Sequence, residues 1–202
     1  MVYYYQFIRE IRQRICNGGL YLMRGMDKYS SGYYRMTGKK YKPGLKSFIQ
    51  RHLSHNLQFA YYYRKYKERS NIFYRLMLYR LPRKYGLEIS PEAQIGEGIY
   101  LGHPYNITIG EGVIIGSNVN LHKGCTIGRT NRGNMGSPVI GNCVFIGINA
   151  TVVGNIRIGN DVLIAPNSFV NIDVPDHSVV IGNPAVVHSK ENATGNYVCY
   201  LV

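Results

Sequence analysis

The sequence contains no tryptophan, only 11 acidic residues against 24 Lys and Arg, and four cysteines among 202 residues. The cysteines (Cys16, Cys125, Cys143 and Cys199) are widely spaced without a CxxC pair, so neither a disulfide framework nor a cysteine metal site is indicated. No stretch approaches the roughly 20 consecutive apolar residues that a spanning helix requires. The N-terminus also lacks an apolar signal core. We therefore expect a reduced, cytoplasmic protein that meets membranes only at their surface.

The basic residues are concentrated in the first part of the chain. Residues 1–86 hold 19 of the 24 Lys and Arg but three acids, whereas residues 87–202 hold five bases and eight acids. Fifteen of the 19 tyrosines also precede residue 87. We predict a basic, Tyr-rich helical region over 1–85, a second domain over 86–188 and a C-terminal tail over 189–202.

From Ile89 onward the sequence repeats with a period of six residues. Thirteen hexads, among them IGEGIY, IGSNVN, IGNCVF and IGNDVL, open with Ile, Val or Leu, and most have a small residue second. A six-residue unit with two inward positions is typical of a short strand followed by a tight corner. Three such units make one triangular coil of a parallel β-helix, in which equivalent aliphatic residues stack about 18 positions apart. The predicted fold class is therefore mainly β.

Two insertions interrupt the hexads, and a solenoid can accept them only at its corners. One adds two residues after LGHPYN, directly behind His103, and the other is TNRGNMGSP (130–138). The second is rich in Gly and Asn and has no apolar periodicity, so it is predicted to be an exposed loop. The loop is either inert or functional. A functional role is favoured, because functional residues concentrate on loops that rigid scaffolds hold.

Cys125 and the histidines of this region also have simple structural interpretations. Cys125 occupies an inward position and is expected to be a packed, unreactive side chain. His122 is interpreted as a corner side chain or a subunit-interface residue. A zinc site built on His103, His122 and His177 is disfavoured, because their spacing lacks a close pair.

The segments GCTIGRT, GNIRIGNDVLIAPNS and VPDHSVVIGNPA carry a family resemblance. They resemble the left-handed β-helix acyltransferases, specifically the serine acetyltransferase-like branch, and look closest to the O-acetyltransferases of bacterial capsule and exopolysaccharide assembly. The resemblance covers residues 86–188. It implies a left-handed helix, a homotrimer, acetyl-CoA bound in the groove between neighbouring subunits, and no metal.

The resemblance also implies catalytic residues. His103, at the end of GIYLGH, matches the histidine general base, Glu88 matches its acidic partner upstream, and Glu111 matches a glutamate downstream. The alternative interpretation is that His103 is a surface histidine at a corner without a catalytic role. Two positions depart from serine acetyltransferases: Gly102 replaces an aspartate that helps to hold the serine ammonium, and Ser137 replaces a histidine that serves the amino acid.

The remaining site predictions follow from the same resemblance. Residues expected to contact acetyl-CoA are Gly128, Arg129, Gly147, Ile148, Ala165, Pro166, Arg157 and Lys190. Residues expected to contact the acceptor are Asn131, Arg132 and Tyr105, and Arg132 is also a candidate for the CoA phosphates. Because of Gly102 and Ser137, the predicted acceptor is a saccharide hydroxyl, free or lipid-linked, in surface polysaccharide synthesis. The alternatives are serine O-acetylation and a non-catalytic trimeric scaffold.

The basic region contains a predicted amphipathic helix that starts at Asn71 and ends at Pro82. Ile72, Phe73 and Leu76 approach helical spacing with Arg75 interleaved. Tyrosine interleaved with Lys and Arg suits the headgroup region of an anionic membrane, and no nucleic-acid motif is present. The alternative is a helical cap on the β-helix with a solvated basic face, and the two can coexist.

Overall fold

The computed structural model describes residues 28–202, and Cys16 lies outside them. Four helices come first: α1 (Lys28–Thr37), α2 (Leu45–Leu53), α3 (His55–Arg69) and α4 (Ile72–Tyr85). Fifteen short strands follow within the described residues: β1 (Glu88–Ile89), β2 (Gln94–Ile95), β3 (Tyr100–Gly102), β4 (Thr108–Ile109), β5 (Ile114–Ile115), β6 (Asn120–His122), β7 (Thr126–Gly128), β8 (Val139–Ile140), β9 (Phe145–Ile146), β10 (Thr151–Val153), β11 (Arg157–Ile158), β12 (Val162–Ile164), β13 (Phe169–Val170), β14 (Ser178–Ile181) and β15 (Val186–Ser189).

The strands form the three faces of a parallel solenoid. Sheet A has the order β1-β4-β7-β10-β13, sheet B has β11-β8-β5-β2, and sheet C has β15-β14-β12-β9-β6-β3. All neighbours pair in parallel except β14 and β15, which form an antiparallel hairpin at the end. The prediction of a mainly β hexapeptide solenoid after a helical region is confirmed.

Each hexad points its first aliphatic residue into the solenoid. Ile109, Ile127 and Val152 stack through successive strands of sheet A and are almost completely buried. Cys125 is also fully buried, and burial raises the pKa of its thiol to about 12. A thiol with that pKa carries almost no thiolate at neutral pH, which agrees with the predicted packing role.

The corners of the solenoid use left-handed backbone and side-chain amides. Asn118, Cys143, Asp161 and His177 have φ between 52° and 58° and stack where sheet B turns into sheet C. Short polar side chains tolerate this conformation better than β-branched ones do. Beside them the Asn142 side-chain oxygen accepts from the Ser117 amide at 2.8 Å, and the same contact recurs in later coils. These contacts join successive coils outside the strands.

The insertions fall at corners, as predicted. Pairing partners in sheet A are 20 residues apart for Glu88 and Thr108 and 18 apart for Thr108 and Thr126, but 25 apart for Thr126 and Thr151. The longest coil contains the exposed loop, which a bridge between Thr130 and Gly136 closes at its base.

The helices cover the open end of the first coil. Tyr63 and Arg64 of α3 are buried and donate hydrogen bonds to carbonyls of that coil, including Arg64 Nη1 to Ile95 O at 2.6 Å. Carbonyls at the end of a parallel stack have no strand partner, so these side chains satisfy them. The helical region therefore caps the first coil of the β-helix.

Helix α4 starts where predicted but continues past Pro82. The Asn71 side chain caps its N-terminus by accepting from the Phe73 amide at 2.8 Å. Pro82 lies inside the last turn, and the helix ends at Gly86 in left-handed backbone, whose N–H bonds to Pro82 O. The prediction that Pro82 ends the helix is wrong, because proline removes one donor there while its carbonyl still closes the final turn.

The C-terminal tail folds back along sheet C. Asp161 accepts hydrogen bonds from the amides of Ala193 and Thr194, and further along Asn120 Nδ2 donates to Tyr197 O at 2.9 Å. At the far end the side chain of Asn118 bonds to both the N–H and the C=O of Val202. The tail thus crosses the outer surface of sheet C toward the first coils.

Candidate active site

His103 lies at the corner between sheets C and A, directly after β3. It is exposed and has a φ of 49°, which turns the chain sharply into the two-residue insertion. Its carbonyl accepts from the Tyr105 amide at 2.7 Å, and the following Pro104 is buried. The corner therefore presents the imidazole outward.

An aromatic group supports the insertion from the helical side. The His55 ring stacks on Tyr85 with centroids 4.1 Å apart and contacts Tyr105 at 4.9 Å. His55 Nε2 lies 3.1 Å from Pro104 O, and burial lowers the pKa of His55, which keeps it neutral at pH 7 and able to donate to that carbonyl. Tyr105, predicted to contact the acceptor, is half-exposed beside this group.

The two predicted acidic partners lie at different corners of the solenoid. Glu88 opens sheet A at the same corner as His103, whereas Glu111 lies in the turn between sheets A and B. Within residues 28–202 neither carboxylate forms a hydrogen bond or ion pair with His103. Both carboxylates are exposed. Within a single chain, neither of them orients the imidazole of His103.

Four predicted acetyl-CoA residues stack above His103. Gly147 and Ile148 follow β9, and Ala165 and Pro166 follow β12, so all four lie at the corner between sheets C and A. The amides of Gly147 and Ala165 are used by the solenoid, bonding to Ile164 O and Val180 O. Ile148 is exposed, so an apolar side chain faces solvent on the same edge as His103.

The other candidates lie elsewhere on the solenoid. Gly128 ends β7 and Arg129 follows it, at the corner between sheets A and B. Glu111 and Ser137 lie next to them, and Ser137 Oγ donates to Glu111 O at 2.9 Å. Asn131 and Arg132 are exposed in the adjoining loop. Arg157 lies on sheet B, and Lys190 follows the terminal hairpin. In one chain these groups do not meet His103.

His122 is a neighbour of His103 that the sequence analysis did not assign to the site. Gly102 and His122 are register partners in β3 and β6, and the His122 ring is half-buried. Burial lowers the pKa of His122, and the nearby His103 lowers it further. The signal was present in the repeat, since His122 lies one coil after the residue preceding His103, but register across an insertion is hard to read from sequence.

A cavity of about 470 Å³ adjoins His122 on the outer surface of sheet C. Its lining includes Tyr100, Asn120, Phe145 and Tyr197, with Arg35 of α1 at one side. Arg35 is buried and donates to Gly98 O at 2.9 Å, to Cys199 O and to Asn120 Oδ1. Helix α1, the solenoid and the tail together form this cavity.

The comparisons with known proteins agree with this architecture. The family profile described as bacterial transferase hexapeptide (six repeats) matches residues 137–171. Serine acetyltransferase 2 of Arabidopsis thaliana is 43% identical over 107 residues, covering 52% of this chain and 33% of the relative. The serine acetyltransferase of Synechococcus elongatus is 33% identical over 146 residues, covering 72% of this chain and 57% of the relative. The chain thus spans less than two thirds of the length of either relative.

Two solved structures show the same β-helix with ligands. The Neisseria gonorrhoeae serine acetyltransferase in complex with serine is 33% identical, with a TM-score of 0.56 over 64% of this chain and 54% of that chain. A serine acetyltransferase in complex with CoA is 26% identical, with a TM-score of 0.56 over 65% of this chain and 54% of that chain. The chain has the hexapeptide-repeat, left-handed β-helix acyltransferase fold.

These relatives correct the predicted acceptor. They are serine acetyltransferases, so the prediction of a saccharide hydroxyl and of a role in capsule or exopolysaccharide synthesis is wrong. That prediction rested on the missing side chain at Gly102 and on Ser137. The structure gives a physical reason why Gly102 misleads: the His122 ring occupies the space next to it, so the loss of a side chain opens no sugar-sized gap.

Proposed function

We propose that this chain, which has the acyltransferase β-helix, transfers the acetyl group of acetyl-CoA to the hydroxyl of L-serine. One observation carries the proposal: an exposed histidine lies at the corner between sheets C and A of a solenoid whose relatives are serine acetyltransferases. The complexes of such enzymes with serine and with CoA support the choice of both substrates.

The chemistry requires a base, an oxyanion donor and positioning. The imidazole of His103 removes the proton from the serine Oγ as that oxygen attacks the thioester carbonyl. The tetrahedral intermediate is stabilised by N–H donors near its oxyanion. When the C–S bond breaks, His103 returns the proton to the CoA sulfur, and O-acetylserine and CoA leave. No acyl-enzyme is needed, because both substrates are held together.

The proposed enzyme is a homotrimer with acetyl-CoA between neighbouring subunits. In one chain the candidate contacts divide between two edges of sheet A: Gly147 and Pro166 lie on the His103 edge, and Gly128 and Arg129 on the other. A groove between two subunits would bring the edge of one chain to the opposite edge of the next. In such a groove Glu111 would approach the His103 of a neighbour rather than its own.

The test is direct acetyl transfer by the full chain. Purified protein is mixed with acetyl-CoA and L-serine, free thiol is followed over time, and O-acetylserine is identified by mass spectrometry. D-serine and L-alanine are matched acceptors, since the first inverts the centre and the second lacks the hydroxyl. Thiol release that depends on L-serine supports the proposal. Release of equal size without an acceptor, or no O-acetylserine at any serine concentration, would refute it.

We also propose that the protein acts in the cytoplasm at an anionic membrane surface. Helices α2 and α4 border a common cavity of about 560 Å³ whose rim carries Arg80, Arg83 and Lys84. Both helices expose large apolar side chains: Leu45, Phe48, Ile49 and Leu53 on α2, and Ile72, Phe73, Leu76 and Tyr79 on α4. Apolar side chains among bases match the headgroup boundary of anionic lipids. No helix within residues 28–202 has the length and apolarity to span a bilayer.

Liposome flotation tests this attachment. Vesicles with about a third phosphatidylserine should carry the protein upward at low salt and lose it at high salt, because each base near the surface contributes about 1 kcal/mol that salt screens. Phosphatidylcholine vesicles are the control for charge. The variant Phe48→Ser with Phe73→Ser should float less while its acetyl transfer is unchanged. Protein that stays in the soluble fraction at low salt contradicts the proposal.

A further inference from the structure

The His122 ring lies against the residue that precedes the proposed base. A Cβ atom placed on Gly102 would lie 2.5 Å from His122 Cε1 and 2.6 Å from Nδ1. Real Cβ atoms essentially never approach this closely, so a side chain at residue 102 would require the imidazole of His122 to move from its present position. The Nδ1 edge of His122 therefore occupies the side-chain space next to His103.

The opposite edge of the ring is buried in an aromatic environment. His122 Nε2 is inaccessible to solvent and has no hydrogen-bond partner within residues 28–202. The Phe145 ring lies 4.6 Å away between centroids, at an angle of 42°, and Tyr100 lies on the other side at 6.2 Å. The face of an aromatic ring can accept a weak N–H contact, whereas Phe145 has no N–H or O–H group to donate to a nitrogen lone pair. This environment favours the tautomer with the proton on Nε2.

The tautomer determines what Nδ1 can bind. With the proton on Nε2, Nδ1 presents a lone pair and is a hydrogen-bond acceptor. The lowered pKa of His122 keeps the ring neutral at pH 7, so it does not repel a cation. A neutral acceptor beside a base that takes a hydroxyl proton suits a substrate that carries an N–H donor close to its hydroxyl.

We propose that His122 is a specificity-determining residue that accepts a hydrogen bond through Nδ1 from the ammonium of the amino-acid acceptor, and that Gly102 is required to leave room for it. The inference rests on the proposed function, since it takes serine as the acceptor. It assigns to a side chain one coil away the contact that residue 102 itself cannot make.

Three substitutions separate binding from packing. His122→Phe keeps an aromatic ring against Phe145 but removes the lone pair, His122→Asn restores an acceptor oxygen, and Gly102→Ala pushes the imidazole away. His188→Phe is the matched control, because His188 is exposed on the terminal hairpin. For each protein we would measure serine binding by calorimetry, KM and kcat for serine, and the same constants for 3-hydroxypropionate, which lacks the ammonium.

The proposal has a distinct signature in these measurements. His122→Phe and Gly102→Ala should weaken serine binding and raise its KM about tenfold or more, as expected for a lost hydrogen bond to a charged group. The KM for acetyl-CoA and the constants for 3-hydroxypropionate should stay unchanged, and His122→Asn should recover part of the loss. Circular dichroism confirms folding of each variant.

The outcomes distinguish this inference from the proposed function. If wild-type protein acetylates serine but His122→Phe binds and turns it over normally, His122 has only a packing role and the inference fails alone. If wild-type protein binds serine in a His122-dependent way without acetylating it, the proposed function fails and the inference stands. If serine neither binds nor reacts, both are wrong.

Discussion

At the scale of single residues, His103 combines an exposed imidazole with a left-handed backbone conformation. Its φ is 49°, in the left-handed region. The next residue, Pro104, is buried, and the Pro104 carbonyl contacts His55. Because the side chain is exposed, its substitution removes no buried packing. The role of the imidazole can therefore be tested by substitution.

We expect His103→Ala to lower kcat by about 10² to 10⁴, because a general base contributes about that factor. Binding of CoA, measured by calorimetry, should stay within about twofold, since His103 takes a proton rather than holding the cofactor. His188→Ala, an exposed histidine on the terminal hairpin, serves as the control. Retention of most activity by His103→Ala would remove this residue from the mechanism.

Single residues also show where sequence reading reaches its limit. His103 is identifiable because its neighbours in the chain carry the signal. His122 and Gly102 touch only because β3 and β6 are in register across a coil lengthened by two residues. Contacts between coils depend on where each insertion is placed, and the apolar period contains no information about the outward side chains. The buried Arg35, which reaches the cavity from a separate helix, has no sequence signal at all.

At the scale of elements, the strands are too short to be stable alone and depend on stacking. Strand β9 has two residues, and its Ile146 is fully buried between β6 and β12. The hexads predicted these inward positions well, because burial acts on every repeat in the same way. Helix α4 was harder, because Ile72, Phe73 and Leu76 are exposed while Leu78 and Leu81 are buried.

Ile146→Ala should lower the free energy of unfolding by about 2–5 kcal/mol, as a large-to-small change in a closely packed core does. The matched control is Ile172→Ala, whose side chain is 45% exposed and which should change stability by less than about 0.5 kcal/mol. Urea denaturation followed by circular dichroism measures both. Equal effects of the two substitutions would contradict the inward orientation of the Ile146 side chain in β9.

The tail is held by a carboxylate that responds to pH. Burial alone would raise the pKa of Asp161, but hydrogen bonds from Thr194, His177 and Ala193 together lower it. The contact therefore stabilises docking above pH 3.8 and is lost as pH falls through the lower folded-state pKa. The pKa of His177 is raised, first by its bond to Asp161, so its contribution is complete below pH 6.5 and fades as pH rises.

Docking of the tail should therefore be tightest between about pH 4 and 6.5. Hydrogen exchange at the amides of Ala193 and Thr194, corrected for intrinsic pH dependence, measures it. Asp161→Asn removes the charge, so its protection should be weaker at pH 5 and nearly independent of pH below that. A wild-type tail whose protection does not change toward pH 3 would show that the carboxylate is not what holds it.

At the scale of the whole molecule, the candidate contacts lie at two edges of sheet A, and the proposed trimer would bring these edges together from neighbouring chains. We expect sedimentation equilibrium to give three times the 23.0 kDa of a single chain. Ile148→Glu, which places a charge on the edge that carries His103, should weaken acetyl-CoA binding more than it weakens assembly. A folded monomer at micromolar concentration would reject both the trimer and the shared groove.

The tail has a consequence for how the solenoid can evolve. It leaves the last coils near Asp161 and reaches Asn120 and Asn118, which belong to the second coil. Duplicating one coil between these points would lengthen the axis by about 4.8 Å, and the same tail would no longer reach both attachment sites. The number of coils is therefore tied to the length of a segment outside the repeats. In open repeat arrays single repeats are gained or lost independently, whereas here each added or lost coil would need a matching change in the length of the tail.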